Sequence, residues 1–401
     1  MAIIFHIDVN SAYLSWTAAE ELKNGQERDI RLVPSIIGGN QSSRHGIVLA
    51  KSVPAKKYGI RTGEPVASAI RKCPDLLVVP PVHEVYRRYS HAFIQHLKTY
   101  TPDVEQVSID ECFLDYTGIS HRFSSPEKAA EEIKKEIFEM FSFTVNIGIS
   151  TNKLLAKMAS DFEKPNKVHT LYPEEIKEKM WPLPVERLYM AGGASVKVLK
   201  KLEINTIGDL ALADPKILEL HLKKHGRMLW ESANGMGDDH VVSKRAEAKG
   251  IGNSVTFSKD IETREEAKRE LLKISQKVGE RMRRAGQKAG MLSVEIKYYD
   301  FETASHQRQV ARPVNSDMGI YEEAVELFEE FWTGEPIRLL GIRGAKLVTE
   351  NEPVQLSLFD LKEFTEEGNR EEKQEKLEKA LDEIRNKFGD EAVVRGSFLK
   401  L

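Results

Sequence analysis

Three acidic residues stand in apolar segments that would not ordinarily carry them. Asp8 closes the run IIFHIDV at residues 3–9, and Asp110 and Glu111 lie side by side in VSIDECFLD at 107–115. Read as a strand, the second segment sends neighbouring side chains to opposite faces, so one of the two acids should enter the core. A buried carboxylate is costly unless it is paired or binds a metal. If the two strands are neighbours, three carboxylates converge at one sheet edge. There they repel and raise one another's pKa unless a divalent cation lies between them. Oxygen-only ligands select Mg2+, and two such ions about 3.5–4 Å apart are the usual apparatus of in-line phosphoryl transfer. A lone aspartate is more often a cap or a salt-bridge partner, but two adjacent acids inside a strand fit that explanation less well. A triphosphate also needs cations. Lys56 in SVPAKK (52–57) and Lys164 in DFEKPN (161–166) could supply them as point charges, although either one taken singly reads as a solvated surface lysine.

The elements that would position these groups follow from spacing. IIFHIDV, residues 107–114 and TVNIGIS at 144–150 read as strands. Between the last two, Ser125 caps a helix with Pro126 in its first turn, and Ala130, Ile133, Ile137, Phe138 and Phe141 keep helical spacing. Acid-bearing strands separated by an amphipathic helix predict an α+β sheet domain. Residues 13–69, rich in Gly, Ser and Pro, read as a small insertion. From Pro173 the pattern turns helical, with a glycine turn at Gly192-Gly193 between helical runs and another helix starting near Thr206. Such a turn resembles a helix-hairpin-helix, whose amides can hold a DNA phosphate. A polar stretch at 240–249 leads into mixed α/β patterning over 250–349. In the charged tail, Leu377, Leu381, Ile384 and Phe388 keep helical spacing.

Composition bounds the class. At 401 residues, 41% apolar and 30% charged, the chain is long enough for two to four globular domains. No apolar run approaches the ~20 residues of a membrane span. The N-terminal run is interrupted by Asp8 and lacks a basic segment, so no signal peptide is expected. The two cysteines, Cys73 and Cys112, have no metal-like spacing and predict a reducing cytoplasm without a zinc site. The net charge of −3 is uneven, because residues 350–401 carry 14 acidic and nine basic side chains and leave +2 for the remainder. Arg281, Arg283, Arg284 and Lys288 form a basic cluster that could meet phosphates or be a solvated helix face, and composition does not separate the two.

Assembled, these segments resemble the Y-family of translesion DNA polymerases, of the bacterial polymerase IV and V type, along essentially the whole chain. HIDVNSAY is similar to the family's first acidic motif and VSIDECFLD to its second. GIVLAKSVPAKKYGI resembles the finger segment, NIGISTNKLLAKMASDFEKPN the end of the palm, KKHGRMLWESANGMGDD the end of the thumb, and GIGNSVTF and IRLLGIRGAKL little-finger strands. The resemblance implies an α+β multidomain right-hand polymerase. Its palm, a ferredoxin-like sheet, would take residues 1–12 and 70–168, and its small fingers 13–69. A helical thumb would span 169–239, a linker 240–249 and an α/β little finger 250–349, followed by a charged tail at 350–401.

Carried over position by position, Asp8, Asp110 and Glu111, with the Val9 carbonyl, would hold two Mg2+ ions, for which Mn2+ could substitute. Tyr13 falls at the steric gate, Ser11, Ala12, Lys56 and Lys164 at dNTP-contact positions, and Gly46, Ile47 and Leu49 over the nascent base pair. Gly192, Gly193, Arg283 and Arg284 would contact DNA. The sequence departs from the family pattern at Ala12, at Val53, at Lys56 in place of arginine, and at Gly192-Gly193-Ala194. Gln355, Leu356, Leu358 and Phe359, in QLSLF, resemble the peptide that binds the bacterial sliding clamp, as an extended anchor after the last strand. The implied function is low-fidelity DNA-directed DNA synthesis past damaged template bases by a cytoplasmic monomer without a proofreading exonuclease. Its partners would be primer–template DNA, dNTPs and the clamp. A palm-type nucleotidyl cyclase, or a non-catalytic clamp-binding repair protein, would share some of these features. The cyclase leaves the thumb-like and little-finger-like segments unexplained, and the accessory protein leaves the complete acidic triad unexplained.

Overall fold

The first apolar run becomes the middle of a sheet, buried on both faces. In a computed structural model, which describes residues 2–39, 46–244, 247–349, 363–389 and 392–393 (side chains of 363–373 and 375 excepted), the chain forms two units, Met1–Arg245 and Ala246–Leu401. The first unit begins with β1 (Ile4–Val9), α1 (Ala12–Lys23), β2 (Ser35–Gly38), β3 (Val48–Lys51), α2 (Val53–Lys56) and α3 (Val66–Lys72). It continues with β4 (Leu77–Val79), α4 (His83–Leu97), β5 (Val104–Gln106), β6 (Glu111–Asp115), α5 (Pro126–Phe141), β7 (Val145–Ser150), α6 (Lys153–Ser160) and β8 (Val168–Thr170).

The main sheet has the order β5-β6-β1-β7-β8, antiparallel except for the β7–β8 pair. Phe5, Ile7, Leu114, Ile147 and Ile149 form one core with Trp16 of α1, Phe93 of α4 and Ile133 of α5. Those residues alternate along their strands, so His6, Asp8, Glu111 and Asn146 fall on the opposite face. There α6 covers the sheet, with Ala156 packed against Ile4 and Phe113. Gly148 permits this approach, because a Cβ there would collide with the Ala156 carbonyl and the Ser160 amide.

Two expectations change. The segment 107–114 is not one strand: residues 107–110 form the turn of the β5–β6 hairpin, and β6 starts at Glu111. The Ser108 hydroxyl donates to the Asp110 carboxylate at 2.6 Å, a local bond that favours a turn over an extended ladder. Asp110 and Glu111 therefore stand at the mouth of a strand, both half-buried, and neither enters the core. The segment 13–69 is not a separate insertion throughout either. Leu14, Trp16 and Ala18 of α1 belong to the main core, and a second sheet, β3-β2-β4, recruits Leu77–Val79 from beyond residue 69.

Past β8 the first unit is helical, with α7 (Gly193–Lys201), α8 (Ile207–Leu212), α9 (Pro215–Leu222) and α10 (Lys224–Ala233). Thr206 and Asp209 form a capping box at α8, as the helix start near Thr206 requires. Between Pro173 and Gly192 the chain forms only short turns, two of 3-10 type at Pro173–Glu175 and Val185–Arg187 and a π-type turn at Ile176–Met180, in place of the expected α-helical run. The second unit contains β9 (Gly250–Ile261), α11 (Arg264–Arg284), β10 (Gln287–Tyr298), β11 (Thr303–Val314), α12 (Asp317–Phe331), β12 (Ile337–Thr349) and α13 (Glu363–Phe388). Its antiparallel sheet, β11-β10-β12-β9, buries Leu292, Val294 and Leu340 against Leu271, Ile274 and Val278 of α11.

Arg283 contradicts the solvated basic cluster and the DNA contact expected of it. Its side chain is 3% exposed and bonds Asp382 at 2.7 Å, Asp317 at 3.0 Å and Glu378 at 3.0 Å. Burial disfavours its charge, yet Asp382, Asp317 and Glu378 hold the guanidinium above its ordinary pKa. Glu378 also accepts from the Asp317 amide. The tail helix thus docks through its charged face, while Leu377 and Phe388 remain 54% and 68% exposed. Arg284, by contrast, is exposed and bonds Glu280 and Asn386. Removing one partner from a buried ion cluster leaves the others uncompensated. Arg283→Ala should therefore lower the unfolding free energy of the second unit by about 3 kcal/mol, and Arg284→Ala by no more than about 0.5 kcal/mol. Chemical denaturation of the full chain measures both, and equal losses would contradict the buried-anchor assignment.

Candidate active site

Antiparallel pairing of β1 with β6 sets Asp8 directly opposite Glu111, and the Val9 amide donates to the Asp110 carbonyl at 3.0 Å. All three acids therefore meet where the two strands end. Asp8 and Asp110 line a cavity of about 460 Å³ whose other walls include Tyr13, Lys51, Lys56 and Lys164. Burial pushes the Asp110 carboxyl above its usual pKa, and the charges of Asp8 and Glu111 add to this against the Ser108 hydrogen bond.

Glu111 is held from the α6 side. Its carboxylate accepts from Lys157 at 2.7 Å and faces His6 Nε2 at 3.4 Å. His6 is fully buried, and its burial lowers its pKa, so the ring is neutral near pH 7. Its Nδ1 lies 2.8 Å from the Ser160 hydroxyl, which also donates to the Lys157 carbonyl at 2.8 Å. His6 and Lys157 together outweigh burial and lower the Glu111 pKa to about 2. Asp8 is bonded to Lys164, which also meets Asp161 at 2.8 Å. Although burial pulls Lys164 down, Asp8 and Asp161 keep its pKa above the ordinary lysine value.

The loop that carries Lys164 is fixed by amide side chains. Asn146 donates to the carbonyls of Ser160 at 3.0 Å and Glu163 at 2.7 Å. Asn10 donates to Asn146 at 3.1 Å and accepts from the Asn166 amide at 2.9 Å. Across the cavity, Tyr13 stacks on Tyr86, with centroids 4.4 Å apart and rings 13° from parallel. Ser11 enters α1 through the left-handed region at φ 47°. Ser52 caps α2, accepting from the Ala55 amide, and so sets Lys56 at the cavity wall.

The structure brings Asp8, Val9, Ser11, Ala12, Tyr13, Leu49, Lys56, Asp110 and Lys164 to one cavity. Glu111 adjoins it but is turned toward Lys157. Gly46 and Ile47 stand outside its lining, where the Gly46 carbonyl accepts from the Val66 amide and Ile47 bridges to Pro65. Gly192 and Gly193 are exposed at the start of α7. Gln355, Leu356, Leu358 and Phe359 lie outside the described residues. Among the described residues no three His, Cys, Asp or Glu side chains are grouped closely enough to hold a metal ion, and Glu111 and Asp8 are instead bonded to Lys157 and Lys164. The donor chemistry still suits a hard cation. The oxygens of Asp8 and Asp110 share one cavity, Asp8 already holds an ammonium there, and Asp110 is raised partly by its neighbours' charge. His6, Asn10, Lys51, Asn146, Lys157 and Asp161 were not foreseen as site residues. Of these, Asp161 carried a signal, lying in the same short run as Lys164.

Residues 7–161 match the impB/mucB/samB family, and residues 248–358 match that family's C-terminal domain. The chain is 47% identical over 398 residues to a DNA polymerase IV of Clostridium acetobutylicum, covering 99% of this chain and 98% of that one. It is 35% identical over 400 residues to DNA polymerase IV 1 of Bacillus subtilis, covering 99% and 93%. A solved Y-family DNA polymerase chimera aligns with a TM-score of 0.75 at 22% identity, over 86% of this chain and 99% of that chain.

The depressed Glu111 pKa has a definite sign. A carboxylate lowered on folding contributes stability that is present above its ordinary value of 4.5 and lost as the pH falls toward about 2. In metal-free protein, Lys157→Met should raise the Glu111 midpoint by about one unit or more, read by carboxyl-carbon NMR. An unchanged midpoint would show that Lys157 does not hold the Glu111 charge.

Proposed function

The chain belongs to the impB/mucB/samB family, the Y-family of translesion DNA polymerases, and from that membership we propose that it extends a primer on a DNA template past damaged bases. It is a DNA-directed DNA polymerase. The observation that carries the reading is the single cavity with Asp8 and Asp110 on one wall and Lys56, Lys164 and Tyr13 on the others. In this reading Asp8, Asp110, Glu111 and the Val9 carbonyl hold two Mg2+ ions, for which Mn2+ can substitute. When bound, such ions supply Lewis acidity toward the phosphate and lower the pKa of an attacking hydroxyl.

The protein's own groups do the rest. Lys56 and Lys164 take the charge of the triphosphate, and Ser11 and Ala12 carry the backbone that flanks it. Tyr13, backed by Tyr86, excludes a ribose 2′-hydroxyl. Glu111, ionised at neutral pH, accepts a hydrogen bond at the primer end. Gly46, Ile47 and Leu49 lie over the nascent base pair, and the Gly192 and Gly193 amides and Arg284 meet DNA phosphates. Outside the active site, Gln355, Leu356, Leu358 and Phe359 tether a monomeric, cytoplasmic enzyme to a bacterial sliding clamp.

Primer extension in Mg2+ tests the reading. Asp110→Ala should reduce extension by about 10²- to 10³-fold, the range found when electrostatic stabilisation of a transition state is removed. Primer–template affinity by fluorescence anisotropy should stay near the wild-type value. Full activity in the variant would remove Asp110 from the site. Replacing Leu358 and Phe359 together by Ala should leave clamp-free extension unchanged and abolish stimulation by the clamp. Loss of clamp-free activity would show that the pair packs within the fold.

A further inference from the structure

Five charged groups at the active site form one continuous chain of alternating sign. Glu111 is bonded to Lys157 at 2.7 Å, and Lys157 lies 3.8 Å from Oδ2 of Asp161. Oδ1 of Asp161 is 2.8 Å from Lys164, which is bonded to Asp8. One carboxylate thus spans two ammonium groups, each of which rests on a different proposed metal ligand. Asp161 is 43% exposed, so burial does not hold its side chain in place. Its backbone, however, is fixed: Arg187 donates to the Asp161 carbonyl at 2.9 Å, and Asn146 holds the carbonyls of Ser160 and Glu163 on either side.

We propose that Asp161 is a positioning residue for the incoming dNTP, holding Lys164 beside the triphosphate when Asp8 turns to a cation. This rests on the reading of Lys164 as a triphosphate contact. Asp8 cannot serve a divalent cation and the Lys164 ammonium equally, because the two positive groups repel. A lysine released from Asp8 would regain the freedom of its four-carbon stem. Asp161, three residues earlier on a pinned loop, keeps the ammonium in place and leaves its remaining N–H donors for phosphate oxygens. Its second oxygen, toward Lys157, keeps the two lysines from spreading apart.

Plain electrostatics and positioning predict opposite signs. Neutralising an acid near a triphosphate should tighten dNTP binding if charge alone matters, whereas loss of positioning should weaken it. In the full-length protein, Asp161→Asn should raise KM for dNTP about tenfold, as expected for one charge-assisted hydrogen bond, with kcat changed less than about twofold, since the contact is made equally before and during the chemical step. The Kd for dNTP on a dideoxy-terminated primer–template, read by fluorescence, should rise by the same factor, and Asp161→Glu should recover part of it. The thermal midpoint should not move. In a Lys164→Ala background, Asp161→Asn should add nothing. An unchanged or lowered Kd in Asp161→Asn, or an effect that persists without Lys164, overturns the proposal. If Lys164→Ala itself leaves Kd unchanged while the wild type extends primers, the triphosphate reading of Lys164 fails and the polymerase assignment stands.

Discussion

Carboxylates that meet at the ends of adjacent strands repel one another, and the first unit is organised around that repulsion. The β1–β6 register sets Asp8 against Glu111, and the hairpin turn adds Asp110 beside them. Without compensation, three negative charges at partly buried positions would push one another toward protonation. The fold answers unequally. Glu111 receives a lysine and a neutral histidine and stays ionised, Asp8 receives Lys164, and Asp110 receives a single hydroxyl and is left with a raised pKa. The least compensated acid is thus the one that opens onto the cavity alongside Asp8. A site for a cation needs that imbalance, because acids fully neutralised by lysine would attract none.

The compensation is delivered by α6 and the loop that follows it, and their approach depends on small side chains and buried amides. Gly148 lets the α6 backbone close on β7, which brings Lys157 and Ser160 over the polar face of the sheet. Asn10 and Asn146, both buried, then satisfy one another and the loop carbonyls. A buried amide left half-satisfied would be costly, so this network holds the loop in one conformation. The placement of Lys164 at the cavity wall follows from hydrogen bonds made by the backbone of Ser160, Glu163 and Asn166 on either side of it.

The second unit uses the same charged residue types for a different end. One arginine, Arg283, gathers Asp317, Glu378 and Asp382 from two helices and closes them from solvent. The cluster works as an attachment point for α13 on α11 and α12. Whether an acidic cluster binds ligands or binds the chain to itself is decided by what surrounds it. In the first unit the acids face a cavity, and in the second they face a guanidinium that fills the space.

Much of the site was legible from residue type and spacing alone. An aspartate at the end of an apolar strand, a pair of acids in a second apolar segment, and lysines in two short runs pointed to residues that the structure sets at or beside one cavity. The helix starting at Ser125 followed from its cap. Periodicity could not show that Asp110 belongs to a turn, since a short apolar segment with acids in it scans alike as strand or hairpin until its partner is known. Nor could it separate Arg283 from Arg284: adjacent positions on a helix point in different directions, and only the docking of α12 and α13 determined which one was buried. The chain of charges through Asp161 was equally hidden. Its members are scattered from residue 8 to residue 164, and pairing between side chains so far apart in sequence exists only once the strands are in register and α6 is packed upon them.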